Sequence, residues 1–219
     1  MKYVYLAIFL VSSIIHLYAS KKSDTKLRAQ TKGFILLALL GWYCYSVTNP
    51  LAIVIAAILT SWLGDVLLIP KGTKWFAAGG ISFWASHICF IIAYSRLVDF
   101  SVIPVWAIIV AGLVYVSISV TLFKKLKPHL PDKLFIPMFF YLLANGTMNC
   151  FALFQLLSVP CFETAFAFAG AVLFFISDST LFFVRFKKDS IFKTHFVVML
   201  TYIAAEFLIV QSFILLAAK

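Results

Sequence analysis

Three of the eight acidic residues lie inside long apolar runs of the sequence, at Asp65, Asp178 and Glu206. The other five lie between such runs: Asp24, Asp99, Asp132, Glu163 and Asp189. An ionised carboxylate at the centre of a lipid-embedded helix costs about 2.5 to 3.5 kcal/mol on insertion scales, so by default it marks a functional site or a paired interior position. The alternative is a protonated carboxyl group that only hydrogen-bonds to a neighbouring helix.

A polar stripe follows one face of a later apolar run. Tyr141, Asn145 and Asn149 recur at i, i+4 and i+8, which places them one above the other on a helix. Such a stripe can line a site, or it can hold helices together by hydrogen bonds.

The same spacing recurs around the buried carboxyl groups. Tyr202 precedes Glu206 by four residues, and Ser61 precedes Asp65 by four. His87 lies in the middle of another apolar run, where it could belong to a site or be an ordinary hydrogen-bonded core histidine.

These residue types favour acid/base chemistry by carboxyl groups. In a low-dielectric cavity one carboxyl group can stay protonated as a general acid, while a second, better solvated carboxylate acts as base toward water. Such a pair can hydrolyse an acid-labile bond without a metal, a cofactor or a covalent intermediate. Any two of these three carboxyl groups would suffice if their surroundings differ, and no cofactor is predicted.

Other chemistries fit the sequence less well. The four histidines, at 16, 87, 129 and 195, are spread over different depths, which disfavours a zinc site. No GxSxG elbow is present for a serine hydrolase. Trp62-Leu63-Gly64-Asp65 approaches the GxGD element of intramembrane aspartic proteases, but Trp62 replaces the first glycine.

The composition excludes a soluble globular domain. Apolar residues make up 63% of the chain and charged residues only 12%, against about 45 to 50% apolar in ordinary soluble domains. The net charge of +10 comes from loops between apolar runs, where it orients the helices in the bilayer and contacts anionic head groups. We therefore expect the lipid bilayer, and not nucleic acid, as the partner of this surface.

The apolar runs predict an all-α, polytopic membrane protein. Because the runs are continuous and do not alternate, they indicate helices and not a β-barrel. We expect one transmembrane domain over residues 1–219, a bundle of eight transmembrane helices near residues 3–20, 33–48, 51–69, 75–97, 102–123, 134–158, 164–185 and 196–218. The first run is expected to be a retained span and not a cleaved signal peptide.

The four cysteines form no disulfide or metal pattern and are interpreted as packing residues: Cys44, Cys89, Cys150 and Cys161.

Basic residues alternate between the predicted loops. Fifteen of the eighteen lysines and arginines lie in loops one, three, five and seven, and the other side holds only Lys2, Arg96 and Lys219. The positive-inside rule places those four loops in the cytoplasm and both termini on the non-cytoplasmic side. The multi-pass protein is expected in the inner or plasma membrane of the cell, with the three buried carboxyl groups at similar depth below the cytoplasmic edge.

Four sequence elements together resemble the lysoplasmalogenase family, also called YhhN-like, over nearly the whole chain. The elements are Leu63-Gly64-Asp65-Val66-Leu67-Leu68, Phe83-Trp84-Ala85-Ser86-His87, Phe174-Phe175-Ile176-Ser177-Asp178-Ser179 and Thr201-Tyr202-Ile203-Ala204-Ala205-Glu206. The chain departs from the family pattern at two places. Lys32-Gly33 replaces Lys-Pro, and Glu206 stands where a glutamine is frequent.

The resemblance implies hydrolysis of the sn-1 vinyl ether of a lysoplasmalogen, which yields a fatty aldehyde and glycerophosphoethanolamine or glycerophosphocholine. The substrate partner is then a lysophospholipid. Asp65 and Asp178 would be the acid/base pair, with Asp178 as the acid. Tyr202 and Glu206 would orient water or the glycerol. The pair would be held in place by His87 and Asn145, with the stripe residues Tyr141 and Asn149. Lys32 would contact the phosphate together with the basic rim.

Two other classes of protein remain as alternatives. Intramembrane acidic residues also relay protons, so a proton-coupled carrier of an amphipathic substrate is the main rival. The inverted repeats that would favour a carrier are not evident in the sequence. A structural membrane protein with a polar packing layer is the third possibility. The sequence makes no prediction of oligomeric state.

Overall fold

A computed structural model describes residues 1–187 and 195–219 as a bundle of α-helices. The helices are α1 (Lys2–Lys22), α2 (Thr25–Ser46), α3 (Ala52–Leu67), α4 (Thr73–Ser95), α5 (Val105–Leu126), α6 (Phe135–Ser158), α7 (Phe162–Phe186) and α8 (Phe196–Leu216). Two short 3₁₀ turns, Lys127–His129 and Asp132–Leu134, connect α5 to α6. The described residues form no β-strand. The all-α prediction is confirmed.

Six of the eight helices are long and apolar enough to cross a membrane: α1, α4, α5, α6, α7 and α8. Helix α3 is apolar but has only 16 residues. Helix α2 has 22 residues, but its first turns carry Lys26, Arg28 and Lys32. Helices α2 and α3, which are consecutive in the chain, are therefore the two that do not meet the criteria of length and apolar composition for a membrane span.

Helix α2 begins at Thr25 and not at residue 33, where the apolar run begins. Asp24 caps this helix, because its Oδ1 accepts hydrogen bonds from the backbone N–H groups of Lys26 and Leu27, each at 3.0 Å. The basic segment that hydropathy assigns to a loop is therefore helical. It carries Arg28 and Lys32 toward the rest of the bundle.

The helices pack as antiparallel neighbours in chain order: α1 with α2, α3 with α4, α5 with α6, and α7 with α8. Helices α4 and α7 also pack against α6, which joins these pairs into one bundle. Helix α5 lies at the edge, since only Ala111, Ser119 and Leu126 are buried along it.

Two glycines allow these helices to approach closely. A Cβ atom at Gly64 of α3 would lie 2.6 Å from the Phe83 ring of α4. A Cβ atom at Gly170 of α7 would lie 2.9 Å from the backbone oxygen of Ala205 and 3.0 Å from the backbone nitrogen of Ile209, both on α8. The second contact is with backbone, which cannot move aside as a side chain can.

Polar contacts tie together the loops at one end of the bundle. Lys219 Nζ lies 2.9 Å from Glu163 Oε2, and the backbone N–H of Asp99 donates to Ser158 Oγ at 2.9 Å. Lys219 is the C-terminal residue, Glu163 lies in the first turn of α7, Asp99 lies in the α4–α5 loop, and Ser158 is the last residue of α6. They lie at the end of the bundle opposite to the α1–α2 and α3–α4 loops.

We expect Gly170→Ala to separate α7 from α8 and to destabilise the protein by about 1 to 3 kcal/mol, the usual cost of overpacking. Gly80→Ala is the control, because nothing lies within 4 Å of a Cβ atom at Gly80, a half-buried position on α4. The measurement is thermal unfolding of the two variants in detergent. Equal stability of both variants would contradict the close α7–α8 contact.

Candidate functional site

A polar cavity of about 100 Å³ opens at the end of the bundle where α2 and α8 begin and α3 and α7 end. Asp65 and Asp178, from α3 and α7, both line it. Both side chains are buried, with 2% and 5% of the residue surface exposed. These two residues are the predicted pair. They are 113 positions apart in the sequence, and the tertiary structure brings them to one cavity.

Asp65 is held by partners from two other helices. Lys32 Nζ of α2 lies 3.1 Å from its Oδ1, and the Tyr202 hydroxyl of α8 donates to its Oδ2 at 2.8 Å. The ammonium group compensates the carboxylate charge that burial would otherwise make costly. Asp65 is therefore placed in an ion pair at the wall of the cavity.

Asp178 is held by neutral donors. The Tyr141 hydroxyl and the Asn145 Nδ2 group, one turn apart on α6, both donate to its Oδ2, at 2.6 and 2.8 Å. His87 Nε2 lies 3.5 Å from the same oxygen, without the alignment of a hydrogen bond. The partners of the two carboxyl groups therefore differ in charge.

Asn149, the third member of the stripe on α6, supports the second. Its Nδ2 group donates to the backbone oxygen of Asn145 at 3.0 Å, and its Oδ1 accepts from the Tyr115 hydroxyl at 3.3 Å. Sequence reasoning did not find Tyr115, which lies on α5, because no polar periodicity marks it. None of the three stripe residues lines the polar cavity, and the stripe acts on Asp178 through the Tyr141 hydroxyl and the Asn145 amide.

Glu206 lies apart from the cavity. It is fully buried on α8, one turn beyond Tyr202, and it does not line the cavity. Neither carboxyl oxygen has a hydrogen-bond partner among the described residues. The nearby hydroxyl of Ser61 is bonded to Ser86 Oγ at 2.7 Å. Five of the predicted residues contact one of the two aspartates: Lys32, His87, Tyr141, Asn145 and Tyr202. Asn149 reaches Asp178 only through Asn145, and Glu206 forms no hydrogen bond with either aspartate.

Aromatic rings surround the pair. Phe83, Phe174 and Tyr202 meet edge to face, with ring centroids 5.5 to 6.3 Å apart. His87 packs its ring against Phe174 at 5.0 Å and against Tyr141 at 5.1 Å. These rings fix the orientation of both tyrosine hydroxyls and exclude water from the inner side of the carboxyl groups.

The outer rim of the cavity is basic. Besides Lys32, it includes Arg28, Lys71, Arg185 and His195, contributed by α2, the α3–α4 loop, α7 and the start of α8. Burial, followed by the positive charges of Arg28, Lys32 and Arg185, lowers the pKa of His195 to about 4. His195 is therefore neutral at pH 7, and the positive charge of the rim comes from the arginines and lysines. Lys188 and Lys193, two of the basic residues that the sequence places in loop seven, lie outside the described residues.

The geometry provides a carboxyl group paired with an ammonium group, a second carboxyl group among neutral donors, and an anion-attracting entrance. In residues 1–187 and 195–219, no group of three or more His, Cys, Asp or Glu side chains is spaced to hold a metal ion. The arrangement can protonate a substrate at one wall and activate water at the other.

Long apolar helices around a buried polar cavity define a multi-pass membrane protein. The YhhN family model matches residues 27–213, and the chain belongs to that family. The four motifs at Asp65, His87, Asp178 and Tyr202 all fall within the matched range, which confirms the resemblance found in the sequence. Searches of curated proteins and of solved structures gave no match.

We expect the variant Lys32→Met to be less stable than the double variant Lys32→Met/Asp65→Asn. Removing one partner of a buried ion pair costs about 3 to 5 kcal/mol because the other charge is left uncompensated, whereas removing both charges is close to neutral. Thermal unfolding of the two variants beside the wild type in detergent checks this. Equal or greater loss in the double variant would show that the pair contributes little.

Proposed function

We propose that this chain is a lysoplasmalogenase, an ether hydrolase that cleaves the sn-1 vinyl ether of a lysophospholipid. The products are a fatty aldehyde and glycerophosphoethanolamine or glycerophosphocholine. Membership of the YhhN family is consistent with this activity. The main support for the proposal is that Asp65 and Asp178 line one cavity but have different partners. Asp65 is paired with a cation, whereas Asp178 accepts hydrogen bonds from neutral donors.

In this proposal Asp178 is the general acid. Both of its hydrogen-bond donors bind Oδ2, so Oδ1 is the oxygen that can carry the proton. Asp178 transfers this proton to the vinyl carbon remote from the ether oxygen, and the electron pair of the double bond forms the new C–H bond. The ether oxygen stabilises the resulting cation as an oxocarbenium ion, next to the newly formed carboxylate of Asp178.

Asp65 is the base toward water. Its ion pair with Lys32 favours the charged form, and the Tyr202 hydroxyl fixes its second oxygen. Asp65 takes a proton from water as the water oxygen bonds to the oxocarbenium carbon, which gives a hemiacetal. Asp65 then returns this proton to the glycerol oxygen as the C–O bond breaks, and the hemiacetal hydroxyl returns a proton to Asp178. One water molecule is consumed and both carboxyl groups are restored.

The basic rim recognises the head group. Arg28, Lys71 and Arg185 surround the entrance of the cavity, and a phosphodiester bound there would carry the glycerol inward toward Asp65. No cofactor takes part. Glu206 has no role in this scheme, because its side chain does not line the cavity.

One observation favours the carrier as a second candidate. The carboxyl group of Glu206 is buried without a described hydrogen-bond partner, on the same helix as a cavity residue, and such groups can bind and release protons during transport. Proton uptake coupled to lysolipid flux in reconstituted vesicles, lost in Glu206→Gln, would support the carrier.

We expect Asp65→Asn and Asp178→Asn each to reduce aldehyde release from a lysoplasmalogen by about 100-fold or more, the usual contribution of a general acid or base. The measurement uses purified protein in detergent, with the matched ester lysolipid as the control substrate. Asp99→Asn is the control variant, because Asp99 is an exposed loop residue outside the cavity. Full activity in either cavity variant would remove that residue from the mechanism, and no aldehyde from folded wild type would reject the hydrolase.

We also propose that all eight helices cross the bilayer, that residues 1–219 form one transmembrane domain, and that both termini lie on the non-cytoplasmic side of the inner or plasma membrane. At about 1.5 Å per residue the 16 residues of α3 are about 24 Å long, which is shorter than the hydrocarbon core of about 30 Å. In this arrangement the bilayer thins around α3 or flanking side chains extend to the interface. The contacts of Lys219 with Glu163 and of Asp99 with Ser158 support this arrangement, because they join loops expected on the same side.

The topology predicts opposite labelling of two exposed positions, Ser101 in the α4–α5 loop and Lys125 in the last turn of α5. In a variant without the four native cysteines, Ser101→Cys should react with a membrane-impermeant maleimide in intact cells, whereas Lys125→Cys should react only after permeabilisation. Both positions are exposed, so access depends on the side of the membrane. Labelling of both in intact cells would contradict the eight-helix topology.

A further inference from the structure

A second, apolar groove of about 180 Å³ lies on the side of the bundle between α4 and α6. Its floor and walls are apolar side chains, including Ile81, Trp84 and Met138. On α4 the groove extends from Phe76 to Trp84, a rise of about 12 Å along the helix axis. It therefore runs from the basic end of the bundle into the depth of the apolar region. We call it the lateral groove.

The lateral groove adjoins the polar cavity. Phe76 lines both of them, and its ring packs edge to face against Phe182, which also lines the groove. Tyr141 contributes its ring to the groove, while its hydroxyl donates to Asp178 at 2.6 Å. A single side chain thus separates the groove from a carboxyl group of the site.

We propose that the lateral groove binds the aliphatic chain of the lipid substrate while the phosphate stays at the basic rim. This inference rests on the proposed function, since it assigns the two ends of the same substrate. The charge distribution selects this orientation, because the rim attracts an anion and the groove offers only apolar surface to a hydrocarbon chain. The bond between head group and chain then passes Phe76 and lies beside Asp178.

Two other apolar grooves lie on the bundle surface and fit this role less well. The groove between α5 and α6 shares no lining residue with the polar cavity. The groove between α5 and α7 reaches Asn149, which contacts Asp178 only through Asn145. In the lateral groove the contact with Asp178 is direct, through Tyr141.

Two glycines allow a matched test. Nothing lies within 4 Å of a Cβ atom at Gly80, in the lateral groove, or at Gly112, in the groove between α5 and α6. Both are half-buried helix positions. Leucine can therefore replace either glycine without a contact at Cβ, and in each case it fills the groove beside it.

We expect Gly80→Leu to lower kcat/KM about tenfold for a lysoplasmalogen with a sixteen-carbon chain, the effect of losing the burial of about two methylene groups. A four-carbon analogue, whose chain does not extend along the groove, should be hydrolysed within about twofold of wild type. Gly112→Leu should leave both substrates unchanged. Equal loss on the long and short chains, or the same loss in Gly112→Leu, would overturn the proposal.

A binding experiment separates this inference from the hydrolase. A saturated alkyl ether lysolipid that carries a diazirine in the middle of its chain has no vinyl ether to cleave, so its binding does not depend on turnover. On irradiation it should label α4 and α6 around Trp84 and Met138, and Gly80→Leu should reduce this labelling at least about fivefold relative to Gly112→Leu. If the wild type shows this labelling but releases no aldehyde, the proposed hydrolase activity is rejected, while the lateral groove is still supported as the binding site of the chain.

Labelling that is spread over the α5 face and does not respond to Gly80→Leu would overturn the groove as the chain site. Labelling confined to the groove between α5 and α7 would likewise contradict it. If the wild type nevertheless releases aldehyde, the proposed hydrolase activity is supported, and the aliphatic chain binds outside the lateral groove.

Discussion

Burying two carboxyl groups in an apolar helix bundle imposes the strongest constraint on this protein. A carboxylate that loses water must gain a cation or several hydrogen-bond donors, and a single transmembrane helix cannot supply them. Asp65 obtains them from α2 and α8, and Asp178 obtains them from α6. The packing of α2, α3, α6, α7 and α8 is therefore coupled to the site. The glycine at Gly170 serves the same end by bringing α7 close to α8.

The two carboxyl groups satisfy this constraint in different ways, and the difference gives them different chemistry. An ammonium partner stabilises the charged form of Asp65, whereas a phenol and an amide can hydrogen-bond to Asp178 in either protonation state. An acid and a base can thus share one cavity without a metal. The basic rim borders the cavity and the lateral groove adjoins it, so an amphiphile bound as we propose would have the junction of its polar and apolar parts beside the two aspartates.

The helix content and most helix boundaries could be predicted because hydropathy reflects the solvent of each segment. The beginning of α2 could not, since its basic first turns read as a loop until the Asp24 cap is recognised. The supporting residues on α6 were found because a polar stripe at helical spacing is a local signal. Tyr115 carried no such signal, and Arg28, Lys71, Arg185 and His195 were visible only as loop or helix-end charges until their common cavity was seen.

The sequence by itself determined the solvent, the class of fold and the candidate carboxyl groups, because each of these follows from side-chain type and local spacing. The family motifs added which residues to pair. Only the tertiary structure decided that Asp65 is bonded to Lys32 and Asp178 to Tyr141, that Glu206 stands apart, and that a groove adjoins the cavity. These facts depend on which helices are neighbours and on how each helix is oriented about its own axis. Helix packing sets both, and it brings together residues that are more than a hundred positions apart in the sequence.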